Sequence, residues 1–193
     1  MGYLSLNTDK SYTEPSDVVK LIYYVCDLSK NPNGLYGENA IMRYNRILDP
    51  GSISSQFLDI QNAYPKTFSR RAYHIIYSHD NLGCETLPAL YSIGLALTWA
   101  HKDYQSIFAI HQNTKHLHLH MVINNIPLFD EVGTLSNHIN FLQLENIAYS
   151  VLDEYWLYYL SHSTYSKPNV LQMAKDAMAH HSAYVKGDIK RHS

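Results

Sequence analysis

What this 193-residue chain lacks narrows it before any motif is read. Its two cysteines, Cys26 and Cys84, are far apart in sequence and sit at no metal or redox spacing. A disulfide scaffold and a cysteine zinc site are thereby excluded, and a reduced, cytoplasmic setting is the economical reading. Positive charge is not in excess: 15 Lys and Arg stand against 17 Asp and Glu, a net −2. A protein that grips duplex nucleic acid mainly by charge needs a basic surplus, so any such contact here has to be local. Long apolar runs are missing as well. The longest, Leu87 to Ala100, is broken by Pro88 and Ser92 and falls short of the ~20 residues a membrane span needs. The N-terminal MGYLSLNTDK shows no basic-then-apolar signal pattern. Repeats and low-complexity segments are absent. What remains is an ordinary globular composition, 46% hydrophobic and 17% charged, enough for one domain. Aromatic character is carried by 17 tyrosines against 5 Phe and 2 Trp. Tyrosine suits half-wet surfaces, where the ring packs and the hydroxyl stays hydrated.

The most informative stretch is His111 to Asn124, HQNTKHLHLHMVIN, with four of the twelve histidines within ten residues. A β-strand sends alternate side chains to opposite faces. His116, His118, His120, Val122 and Asn124 would share one face, and Leu117, Leu119, Met121 and Ile123 a core-facing row behind them. Two imidazoles two residues apart on one face can point at a single ion, and the nearest third is His111. It ends the apolar run Ser106–Ile110, which reads as a strand. Polar residues Gln112 to Lys115 form a turn, so a hairpin returns His111 beside the row. Three neutral imidazoles with open positions make a catalytic metal site, not a closed structural one.

Along the rest of the chain, Gly2–Leu6 reads as a short strand. A helix follows from Pro15 to about Lys30, with Thr13 as N-cap and Val18, Leu21, Ile22, Val25 and Leu28 as its apolar stripe. Tyr24 falls at the edge of that stripe and Tyr23 nearly opposite. Asn31–Gly37 reads as a loop by its Pro, Asn and Gly content. A helix over Ser54–Ala63, a strand over Ala72–Ser78 and a helix over Glu85–His101 come next. After the hairpin, Asn140–Trp156 is predicted helical, and a weaker helix runs from Pro168 to about His180. The order predicts an α+β fold, an antiparallel sheet backed by helices.

These residues resemble the N-terminal domain of conjugative relaxases of the MobA/MobL type, within the HUH endonucleases. The shared elements are His111, His116, His118-Leu119-His120, Asn124, the AYHIIYS strand and an early helix bearing Tyr24-Val25. The resemblance spans about residues 2 to 160 and implies a relaxase domain over 1–160, with 161–193 as a helical extension of it. It is also compatible with a nicking domain cut from a longer protein. It implies a central antiparallel sheet related to ferredoxin-like and RNA-recognition folds. The implied activity is metal-dependent nicking of one DNA strand at an origin of transfer. Its implied partners are single-stranded DNA, relaxosome accessory proteins and a coupling protein. By the same resemblance His111, His118 and His120 bind the metal, and His116 is an additional ligand or phosphate contact. The ion is divalent: Mn, Co, Ni or Zn suit imidazole better than Mg. Relaxases of this type commonly carry Asp where this chain has Asn113, a position that, with Asn124, would orient a ligand ring.

The chemistry is coherent on its own terms. A metal held by imidazoles accepts the non-bridging oxygens of a scissile phosphate and offsets transition-state charge. A free tyrosine is only about one part in a thousand ionised at neutral pH and needs help to attack. Tyr24 is the expected nucleophile, with Tyr23, Tyr36 and Tyr44 as substitutes. His74 would assist proton transfer or orient the phosphate. Lys66, Arg70 and Arg71 are candidate DNA contacts. The HLHLHMV run also fits histidine-triad nucleotide hydrolases, where His118 would be the nucleophile, though those proteins are usually shorter and carry the motif near the chain end. A third reading is a metal-stabilised DNA-binding module that forms no covalent adduct.

Overall fold

A strand that alternates histidines with aliphatics and then turns apolar on both sides must lie where both of its faces are covered. Leu117–Pro127 does so. In the computed structural model it is the central strand of a five-stranded antiparallel sheet. The residues described are 3–6, 12–32, 34, 36–41, 49–64, 68–79, 86–129, 132–135, 139–140 and 143–151. The strands are β1 (Tyr3–Leu6), β2 (Tyr36–Asn39), β3 (Ala72–His79), β4 (Tyr104–His111) and β5 (Leu117–Pro127), in the order β1-β3-β5-β4-β2. The helices are α1 (Pro15–Val25), α2 (Pro50–Ala63) and α3 (Thr86–Ala100), with a fourth, α4, described over 143–151. The fold is α+β, as the element order predicts.

Each face of the sheet has its own core. On one, Ala72, Ile107, Ala109 and Val122 meet Val18, Leu21, Ile22 and Val25 of α1 and Ile53 and Phe57 of α2. On the other, Ile75, Tyr77, Phe108, Ile110, Leu119, Met121 and Ile123 meet Leu90, Ile93 and Leu97 of α3 and Leu144, Ile147, Ala148 and Val151 of α4. Each large side chain fully buried this way contributes roughly 1.5–3 kcal/mol. Register decides which core a strand residue joins, because a slip by one would exchange the two sets.

The structure departs from the sequence-based expectation at three places. Helix α1 stops at Val25, not near Lys30, and its N-cap is Glu14, not Thr13. The reason is Asp27, whose carboxylate accepts from the Ser29 N–H (3.0 Å) and hydroxyl (2.7 Å), a local turn that competes with the helix. Leu28 is therefore 63% exposed instead of extending the apolar stripe. Helix α2 begins four residues before Ser54, because Asp49 caps the N–H groups of Gly51 and Ser52. Finally, the expected loop at Asn31–Gly37 runs into β2, an edge strand that the composition hid. Gly37 is there for space: a Cβ on it would run into the Phe108 ring. The expected helices beyond residue 151 and the 161–193 extension lie outside the described residues.

Candidate active site

The β4–β5 hairpin forms as the polar turn predicts, and His111 is the register partner of His118. His118 and His120 project from the same face of β5, and His74 of β3, paired with Val122, joins that face. The face is the one covered by α1, so the helix edge roofs the imidazoles. Tyr24, on α1, places its ring centroid 5.3 Å from His111, 5.3 Å from His120 and 6.3 Å from His74, edge-on in each case. Its side chain stays 42% exposed. The turn that ends α1 brings Lys30 back over it, with Nζ 4.0 Å from the ring centroid. Asp27 holds the same ammonium at 3.2 Å, and the Gln112 N–H donates to the Lys30 carbonyl at 2.6 Å. One short turn thus ties the tyrosine helix to the histidine hairpin.

The imidazoles are close and mostly dry. His111 and His120 are buried, with ring centroids 4.3 Å apart, and His118 lies 6.0 Å from His120. Burial first, then the neighbouring histidines, pushes His120 down to about 2. Burial likewise lowers His111 and His118. All three are neutral at pH 7 and so keep a lone pair for a ligand. One nitrogen of each is engaged: His111 Nε2 with the Val25 carbonyl (3.0 Å), His118 Nδ1 with the Thr114 hydroxyl (3.1 Å), His120 Nδ1 with His74 Nε2 (3.0 Å).

A family model described as relaxase, MobA/VirD2-like, nuclease domain, matches residues 24–157. The chain belongs to that family. No curated protein and no solved structure matches it. This relaxase domain is accordingly a DNA-nicking enzyme of mobilisation systems, and its family acts on single-stranded DNA at an origin of transfer. No helix among the described residues is long and apolar enough to cross a membrane.

Relaxases typically use a divalent metal. The donor chemistry here fits one: neutral imidazoles, each with its second nitrogen held by a neighbour, the pattern that orients a ligand ring. As the rings stand, no three His, Cys, Asp or Glu side chains among the described residues converge as a metal cluster.

The other sequence-derived candidates scatter. His116 precedes the strand and is exposed in the turn, where its carbonyl accepts from the Thr114 hydroxyl at 2.6 Å. Asn113 is also exposed there. Asn124 is fully buried and serves the scaffold: its amide donates to the Phe57 carbonyl (3.1 Å) and the Gln105 side chain (3.2 Å), and accepts from Gln61 (3.1 Å). Arg71 donates to the Thr13 carbonyl (2.9 Å) and to Gln61 Oε1 (3.0 Å), clamping the approach to α1 onto α2. Arg70 lies over the Tyr73 ring at 4.9 Å, and Tyr73 belongs to the α3 side of the sheet. Tyr23 is 53% exposed, and Tyr36 on β2 packs half-buried beside the α1 core. Lys66 and Tyr44 lie outside the described residues.

One participant carries no sequence signal at all. Tyr12, buried in an irregular segment at φ 42°, hydrogen-bonds His74 Nδ1 at 3.0 Å. Both ring nitrogens of His74 are therefore engaged, by Tyr12 and by His120. His74 can take a proton from Tyr24 only by giving up one of them.

Proposed function

We propose that this domain, with the HUH-type histidine set, nicks single-stranded DNA by transesterification through Tyr24. The observation that carries the reading is the Tyr24 ring packed edge-on against His111, His120 and His74 while still open to solvent. A nucleophile has to sit against the imidazole cluster and stay open to an incoming strand, and the packing and exposure of Tyr24 support that role. Tyr12 is buried, and burial holds its hydroxyl above the ordinary phenol range, so it stays protonated.

In the reaction the Tyr24 oxygen bonds to phosphorus and the bond from phosphorus to the 3′ oxygen breaks. The products are a 5′-phosphotyrosine and a free 3′ hydroxyl. The phenol proton leaves to solvent and the departing 3′ oxygen gains one, so protons balance. The phenolate is a good enough leaving group for the reverse step to rejoin the strand. A divalent ion held by His111, His118 and His120 would polarise the phosphate. The Lys30 ammonium, 4.0 Å from the Tyr24 ring centroid, would help hold the ring in place. Accessory relaxosome proteins and a coupling protein complete the proposed setting.

The test is cleavage of labelled single-stranded DNA spanning a candidate origin, with Mn²⁺ or with chelator, resolved on a denaturing gel. A metal-dependent protein–DNA adduct that disappears in Tyr24→Phe is the expected result. An adduct that survives Tyr24→Phe and is lost in Tyr36→Phe or Tyr44→Phe would move the nucleophile. Absence of any adduct would return the site to the DNA-binding reading.

A further inference from the structure

Asn113 is exposed in the turn, whereas His120 is held from the side of β3. Its Nδ1 meets His74 Nε2 at 3.0 Å with the rings stacked, centroids 5.2 Å apart and 29° between planes. His74 in turn meets the Tyr12 hydroxyl at 3.0 Å, and Tyr12 and His74 are 6% and 4% exposed. Tyr12 itself is clamped: its backbone sits at φ 42°, where a tyrosine rarely rests, and its carbonyl accepts from the Arg71 N–H at 2.9 Å. The Arg71 guanidinium secures the next carbonyl, that of Thr13.

We propose that Tyr12 is a positioning residue that orients His120 for metal binding through His74. The inference rests on the reading of His120 as a ligand. A cation on His120 Nε2 requires the proton on Nδ1, which donates to His74 Nε2. His74 must then carry its own proton on Nδ1, and that N–H needs an acceptor in a buried place. The Tyr12 oxygen is that acceptor, and a hydroxyl both accepts and donates. The chain from Tyr12 to His74 to His120 thus supplies the outer support that keeps a ligand ring in one tautomer and one orientation. Tyr12 touches neither DNA nor phosphorus in this scheme.

The test uses the full chain, freed of metal, with Mn²⁺ alone titrated by calorimetry. Tyr12→Phe keeps the ring and removes only the hydroxyl; it is expected to weaken Mn²⁺ binding about 10- to 100-fold. In a His74→Gln background, Tyr12→Phe should add nothing further, because its effect passes through His74. Imidazole ¹⁵N spectra of the Zn²⁺-bound protein should show His74 protonated on Nδ1 in wild type and a mixture of tautomers in Tyr12→Phe. A purely structural role for Tyr12 would move the melting temperature but not those spectra. Equal Mn²⁺ affinity in wild type and Tyr12→Phe, or full additivity with His74→Gln, would overturn the proposal alone. Wild-type protein that takes up no Mn²⁺ would overturn the metal reading as well as this one.

Discussion

The ammonium of Lys30 stands 4.0 Å from the centroid of the Tyr24 ring, although Tyr24 lies in the last turn of α1 and Lys30 in the turn beyond its end. A cation over an aromatic face in a partly exposed site contributes about 0.5–1 kcal/mol, here toward holding the Tyr24 ring in place. Lys30→Met keeps the stem and removes the charge. Nicking by this variant should slow by about two- to fivefold, the equivalent of that energy, with single-stranded DNA affinity little changed. A rate equal to wild type would mean that Asp27, 3.2 Å from the same ammonium, already cancels its effect.

Phe108 is gripped between two glycines on different elements. A Cβ on Gly94 of α3 would lie 2.5 Å from its ring, and one on Gly37 of β2 would run into it from the other element. Overpacking a fully buried ring costs about 1–3 kcal/mol. Gly94→Ala should lower the urea midpoint accordingly, and Phe108→Leu in that background should recover part of the loss. If Gly94→Ala alone is neutral, α3 has shifted to make room and the close approach is not a constraint.

Arg71 separates scaffold from DNA contact. Its guanidinium bonds to the exposed Thr13 carbonyl and to the part-buried Gln61 side chain, so Arg71→Ala strands one partly buried acceptor at roughly 1 kcal/mol. The variant should melt lower while the salt dependence of single-stranded DNA binding keeps its slope. A slope reduced by about 0.7, one phosphate contact on a single strand, would make Arg71 a DNA ligand instead.

The histidine cluster sets an acid limit. His111 and His120 are buried and held below the 6.5 of a free imidazole, His120 down to about 2, by burial first and then by neighbouring positive charge: Lys30 and His118 for His111, and chiefly His111 and His74 for His120. The unfolded chain therefore binds more protons below about pH 6.5. Stability is complete above that pH and falls as pH drops, by up to ~1.4 kcal/mol per unit for each group. Burial lowers His101 in the same direction. The thermal midpoint of metal-free protein should hold above pH 7 and decline toward pH 5.5, by about 2–4 °C per kcal/mol lost. A flat profile over that interval would mean that the rings are hydrated.

Much of this protein is legible in the order of its residues, because periodicity is local. Alternation in HLHLHMVIN identified a strand with a histidine face, and the polar run at 112–115 identified its turn. Together they foretell that His111 returns beside the histidine row; the register, His111 opposite His118, comes from the fold. The apolar spacing of α1 placed Tyr24 at the edge of the buried stripe, and the residue stays 42% exposed there. What remained hidden depends on partners distant in sequence. Strand β2 exists because β4 pairs with it, and its glycine reads as a loop until the Phe108 ring is beside it. Asn124 and Arg71 look like site residues in one dimension, but in three dimensions their polar groups tie α2, β4 and the segment before α1 together. Tyr12 is one tyrosine among 17 until the backbone turns at φ 42° and sets its hydroxyl against His74, 62 positions along the chain. Local pattern determined which residues face together; only tertiary packing decided which of those faces meet, since a hydrogen bond has no range along the sequence.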